Sequence, residues 1–202
     1  MRKFLIATLM LMPLMAMAQN TWEMPEEEEE QTQRVNPNAK YLAGAVTEQD
    51  GHVVFSTTIE APGKSAEEIY TVLLRYAGKM TREKNQIQSQ VVIADSVGHA
   101  IGVSLCEWLV FTNTAIMLDR TKFNYILHIT CTDGKAGIRL ERIYYVYEEM
   151  GKNVTYRAEE WITDKYALNK KKTRLYPISG KFRRKTIDRK NYLFNKMESL
   201  LK

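Results

Sequence analysis

Histidine is scarce in this chain of 202 residues, cysteine scarcer, and long apolar runs are absent beyond the N-terminus. Each shortage removes a class of function. His52, His99 and His128 stand far apart, with no H-x-H, H-E-x-x-H or C-x-x-C spacing to put ligands around one ion, so no metal is expected. No G-x-S-x-G marks a strained nucleophile turn. Glu141, Glu148, Glu149, Glu159 and Glu160 are plentiful carboxylates, yet no spacing singles out an acid–base pair across a cleft. Gly63-Lys64-Ser65 imitates the end of a phosphate-binding loop. That loop needs another glycine five positions earlier, where Thr58 stands, and Pro62 removes a backbone N–H where one is wanted. The residues predict no catalytic site and no cofactor; a hydrolytic enzyme is the remote alternative.

What is present begins with an address. Arg2 and Lys3 precede an apolar run, Phe4 to Met15, and then Ala16-Met17-Ala18. A positive start, a short apolar stretch and an A-x-A site describe a secretory signal peptide cut after Ala18. The run is short of the ~20 apolar residues of a membrane-spanning helix, although an uncleaved anchor is the alternative. The mature chain is expected to be periplasmic or secreted and to carry no transmembrane segment. An oxidising compartment would let Cys106 and Cys131 pair, but both fall in predicted strands, and register and face decide whether they can meet. Two free buried thiols are the simpler reading.

Residues 19–46 hold the run Glu26 to Glu30 and little apolar material. Repulsion and the shortage of core residues predict a disordered acidic lead-in. Residues 47–202 carry enough Val, Ile, Leu, Phe and Tyr for one core, hence one domain. The formal charge of the whole chain is +5. With the acidic lead-in set aside the domain is more basic still, and Lys and Arg crowd toward its end.

Alternation of apolar and polar residues predicts a strand over His52 to Ala61. Pro62-Gly63 ends it, and Ser65 with Glu68 forms a capping box for a helix that Gly78 stops. Ile87 to Ala94 and Ala100 to Phe111 read as strands joined by a turn at Ser96 to His99. Phe123, Tyr125, Leu127, Ile129 and Cys131 alternate up to the turn Asp133-Gly134, and Ile138 to Tyr147 returns. Ala158 to Lys170 and Thr186 to Leu201 read as helices, the second with Ile187, Leu193, Phe194, Met197, Leu200 and Leu201 as its buried stripe. The fold class expected is α+β: a curved antiparallel sheet with helices packed on one face, the C-terminal one long.

The stretches VVFSTTIEAPGKSAEEIY, DGKAGIRLERIYYVY, AEEWITDKYAL and GKFRRKTID together resemble the domain-of-unknown-function family with a TATA-binding-protein-like fold. The resemblance spans about residues 50–200. It implies a curved antiparallel sheet around a long C-terminal helix, export from Gram-negative gut bacteria and no established activity. It brings no catalytic residues to transfer, and the fold's name does not imply DNA binding. The return of the hairpin at Ala136 to Arg139 is looser than the family pattern, leaving its register open.

The most functional-looking stretch is NKKKTRLYPISGKFRRK, Asn169 to Lys185, rich in cations and without an acid. Tyr176 and Phe182 are interleaved as in a base-stacking surface, but Pro177 and Ser179-Gly180 predict a turning loop, and nucleic acid is not an expected partner. The reading is an exposed basic connector docked by Ile178 and Phe182, with Lys170, Lys171, Lys172, Arg174, Arg183 and Arg184 available to an anionic envelope component. Tyr144, Tyr145 and Tyr147 suggest a sheet face or edge that receives another envelope protein by strand addition. A carrier for a small apolar, lipid-like ligand is the alternative, with Trp108, Phe111 and Tyr125 lining the cavity. The expected function is an exported, non-catalytic interaction module.

Overall fold

The computed structural model describes residues 36–202; the expected leader and the glutamate run lie outside them. The described chain forms β1 (Glu48–Gln49), β2 (His52–Val53), β3 (Phe55–Glu60), α1 (Ala66–Met80), β4 (Gln90–Asp95), β5 (Ala100–Asn113), β6 (Leu118–Thr132), β7 (Lys135–Glu149), β8 (Lys152–Arg157), α2 (Asp164–Ala167) and α3 (Pro177–Leu201). β1 and β2 make a small hairpin. The six remaining strands form one antiparallel sheet in the order β3-β7-β6-β5-β4, with β8 also paired to β7. β3 takes the first half of β7, Lys135 to Leu140, and β8 takes the second, Tyr144 to Glu149.

Period-two alternation explains which face is covered. Ile101, Val103, Leu105 and Leu109 of β5 and Phe123, Tyr125, Leu127 and Ile129 of β6 are buried in one core with Ile69, Leu73 and Met80 of α1 and Phe182, Leu193 and Met197 of α3. The two helices therefore lie on one face. In β7 the buried set changes parity, from Ala136, Ile138 and Leu140 to Ile143 and Tyr145. A bulge accounts for this: the β6–β7 register shifts between Asn124 and Ile126, and Arg142 adopts a positive φ of 54°. Pairing is regular from Ala136 to Arg139, and the irregularity sits beyond it, between Glu141 and Tyr144.

The Pro62-Gly63-Lys64 turn is a structural joint. Ala61 N–H donates to the Gly134 carbonyl and Gly134 N–H to the Lys64 carbonyl, tying this turn to Asp133-Gly134. Lys64 Nζ donates to the Leu201 carbonyl at 2.7 Å, at the C-terminus of α3. Ser65 accepts from Glu68 N–H while Glu68 Oε2 accepts from Ser65 N–H, the capping box expected. Asp133 Oδ1 accepts from Ala66 N–H as well. Gly78 does not stop α1, which runs on to Met80.

Other boundaries differ from the sequence reading. Residues 158–170 are not one helix: a 3₁₀ turn at Ala158–Glu160 and the single turn α2 replace it, and β8 precedes them. The helix expected from Thr186 begins at Pro177, whose missing N–H suits a first turn. Leu200 is exposed on it and Phe194 only partly buried. Residues 36–46, assigned to the disordered lead-in, pack on the domain: Tyr41 and Val46 are in the core.

Candidate functional site

The basic stretch divides into two parts with opposite environments. Lys170, Lys171, Lys172 and Arg174 lie exposed in the connector before α3, and Lys172 Nζ reaches Asp164 at 3.4 Å. Arg183 is fully buried, which corrects its place among the solvent-facing cations. Its Nε donates to the Tyr41 carbonyl at 2.6 Å, Nη1 to Ile162 at 2.7 Å, and Nη2 to Leu42 at 2.6 Å and Asp164 Oδ1 at 2.7 Å. A guanidinium presents just such a planar fork of donors. Burial opposes ionisation of Asp164, but the bonds from Arg183 and the Gly44 N–H outweigh it and hold the carboxyl below its ordinary range. Arg184 is half-exposed on α3. Ile178 is exposed and does not dock, whereas Phe182 is buried among Phe111, Tyr145, Tyr147 and Trp161. The six cations therefore do not form one anionic contact.

A buried polar constellation lies further along α3, at its middle. Glu107, which points inward from β5, is fully buried. Arg189 Nε donates to its Oε1 at 2.9 Å and Nη2 to its Oε2 at 2.8 Å, with Nη2 also 3.1 Å from Glu83. Tyr125 Oη, Asn85 Nδ2 and Gln86 Nε2 complete the ring of donors around the carboxylate. Burial and the neighbouring Glu107 push the Tyr125 phenol far up, so it stays protonated as a donor. This arrangement satisfies a buried charge from every side and fixes α3 to β5. Nothing in the spacing of Glu107 and Arg189 announced it; an acidic residue at an inward position of an apolar strand was the only signal.

The residues singled out for metal or thiol chemistry stay apart. His52, His99 and His128 face Glu159, Glu67 and Glu141 respectively, at 3.9, 3.4 and 3.4 Å, and no three candidate ligands cluster among the described residues. Cys106 and Cys131 are both free. Cys131 is in the core, and burial pushes its thiol up to about 11. Cys106 alternates with the inward Leu105 and Glu107 and so faces the other side of the sheet. The expected trio for an apolar cavity is likewise divided. Tyr125 is buried and packs on Phe123 at 4.5 Å between centroids, Phe111 packs on Phe182 at 4.6 Å, and Trp108 lies on the outer face under Arg120 at 3.7 Å. They do not line one cavity. Of the three tyrosines, Tyr145 is in the core, with its hydroxyl 2.7 Å from Thr186, and Tyr144 is exposed.

The sheet's terminal strands differ in a way that bears on binding. β8 begins with Lys152 and ends with Arg157, and β3 ends with Glu60. β4 reads Gln-Val-Val-Ile-Ala, with no proline and no charge before its last residue, Asp95. Among the described residues β4 pairs with β5 alone. Val92 is 48% exposed and Ile93 46%. A bulge at Val92 shifts the register, and Ile93 then lies across Gly102, where a Cβ would meet its side chain at 3.0–3.1 Å. The sequence of this edge reads as an ordinary strand, because strand order is not written in the local pattern.

A family model described as a domain of unknown function (DUF4468) with TBP-like fold matches residues 55–146. A crystal structure of a DUF4468 family protein from Bacteroides ovatus ATCC 8483 is 39% identical, with 82% of this chain and 95% of that one covered and a TM-score of 0.76. A TBP-like protein from Parabacteroides distasonis ATCC 8503 is 24% identical over 77% and 96% of the two chains, with a TM-score of 0.64, a likeness of fold. No curated protein matches.

Proposed function

This chain belongs to the DUF4468 family of TBP-like fold, and from that premise we propose that it is an exported, non-catalytic module that takes up an extended segment of a partner protein along β4. One observation carries the reading: β4 ends the sheet with open backbone groups and half-exposed Val92 and Ile93, and it has none of the lysines, prolines or inward charges that usually guard an edge. An incoming strand would satisfy those groups, and Ile93 beside Gly102 would offer an apolar footing on the outer face. The bulge at Val92 limits regular pairing to either side of it, which favours a short partner segment. The N-terminal pattern Phe4 to Ala18 supports export.

A photoreactive amino acid at Val92 tests this in the cells that make the protein. The reading expects a discrete protein adduct at Val92 that a second change, Ile93→Lys, abolishes, and none at the exposed control position Tyr166 on α2. Adducts of equal yield at Val92 and Tyr166, or adducts indifferent to Ile93→Lys, would overturn it.

A further inference from the structure

The opposite end of the sheet carries a second surface, independent of the β4 edge. The β5–β6 hairpin and the β7–β8 hairpin finish near each other there: the β6–β7 ladder ends at Thr121 and Tyr147, and residues of both tips line one groove. Their tips present four apolar side chains to water: Ile116 at 96% exposure, Met117 at 57%, Leu118 at 54% and Met150 at 104%. Turn chemistry does not ask for them. Met150 sits at a φ of +49° followed by Gly151 at +78°, where Asn, Asp or Gly would be favoured. An apolar residue at a position that resists it calls for another reason.

Between the tips runs an open groove of about 810 Å³, lined by Trp108, Arg120, Lys122, Met117, Met150 and others. The charge around it is unequal. Lys181 Nζ and the Tyr147 hydroxyl hold Asp119 at 2.7 and 2.9 Å, and Glu149 accepts from the Tyr156 hydroxyl. Glu148 is the unpaired acid at the groove, against Arg120 and Lys122; just outside it the exposed Lys152 stands across the β7–β8 ladder from Glu149, which keeps its charge. Arg120 is stacked flat on the Trp108 ring at 3.7 Å.

We propose that this end is a membrane-docking surface, with Ile116, Met117, Leu118 and Met150 entering the headgroup boundary of an anionic phospholipid bilayer while Arg120, Lys122 and Lys152 meet its phosphates. Apolar groups on two convex tips, with Arg120, Lys122 and Lys152 beside them, fit a soft planar partner better than a protein, which would need two matching pits. The bilayer is thus a different partner, at a different end, from the segment proposed for β4.

The test uses the full chain with Cys106→Ser and Cys131→Ala, so that an environment-sensitive dye can be placed at Met150→Cys. The dye reports the tip itself, which keeps the apolar N-terminal run from imitating the result. Vesicles of phosphatidylcholine with phosphatidylglycerol should move its emission to that of an apolar medium, and pure phosphatidylcholine should do so far more weakly. The pair Arg120→Gln and Lys122→Gln should weaken binding by roughly fivefold per cation, and Ile116→Asp by about tenfold or more. A dye at Lys171→Cys should stay in water throughout. Water-like emission from position 150 on anionic vesicles would overturn the proposal. So would a shift that ignores Ile116→Asp and both cation changes, with the fold confirmed by circular dichroism.

Discussion

Replacing Arg183 by Met keeps much of the side chain's volume but removes its donors. The Tyr41 and Ile162 carbonyls then lose their donor inside the domain, the Leu42 carbonyl keeps the Ala45 N–H but loses the guanidinium, and Asp164 loses its close cation. Removing one partner of a buried ion pair costs about 3–5 kcal/mol. Asp164 retains some solvent contact, with 20% of its side chain exposed, which argues for the lower half of that range. In a domain of this size each kcal/mol lowers the melting temperature by about 2–4 °C, so the loss should be roughly 6–16 °C. The triple change of Lys170, Lys171 and Lys172 to Gln, in the same basic stretch but exposed, should move stability by less than about 0.5 kcal/mol. The sign of the pH dependence follows from Asp164, whose folded carboxyl titrates below its ordinary value. Its stabilising share is full above about pH 4, the unfolded range, and is lost as pH falls through the folded value. Asp164→Asn should remove that share and flatten the acid side of the curve. Urea unfolding from pH 3 to pH 7 measures both effects. An Arg183→Met protein that melts within about 2 °C of the parent would refute the claim that this guanidinium holds the segments together.

The constellation around Glu107 should behave as a unit. Glu107→Ala leaves Arg189 half-stranded and should cost about 3–5 kcal/mol, whereas the double change Glu107→Met with Arg189→Met should recover much of it; additive losses in a double-mutant cycle would contradict the pairing. In the native protein an alkylating reagent should modify Cys106 first and Cys131 only on unfolding, since Cys131 is buried and its thiol is pushed up to about 11. Equal rates by mass spectrometry would place Cys131 elsewhere.

Local grammar made much of the fold legible. Ser65 with Glu68, the turn at Asp133-Gly134 and the alternation from Phe123 to Cys131 each state a local preference, and packing agreed with them. Failures arose where long-range contacts outweighed the local signal. Arg183 read as solvated because its neighbours are cations and a sequence does not show the carbonyls that surround it. Pro177 and Gly180 read as a turn, yet Pro suits the first turn of α3, and at Gly180 a Cβ would come 2.8 Å from the Leu175 side chain, so glycine serves close packing there. The β4 edge and the two hairpin tips depend on strand order and on which strands end together. Neither property resides in any one stretch of sequence.

The pairing of β3 with β7 constrains the order in which the chain can assemble. Phe55 must wait for Leu140 to be synthesised before it has a partner, while β5, β6 and β7 are consecutive neighbours joined by short turns. Loop closure favours the meander as the earlier structure, with the β3 ribbon added afterwards. The final clasp comes later still, since the guanidinium that grips the Tyr41 and Leu42 carbonyls belongs to α3, which is made after every strand of the sheet. A ribosome-stalled product ending before that helix would therefore hold a nascent sheet whose first segment is still unfastened.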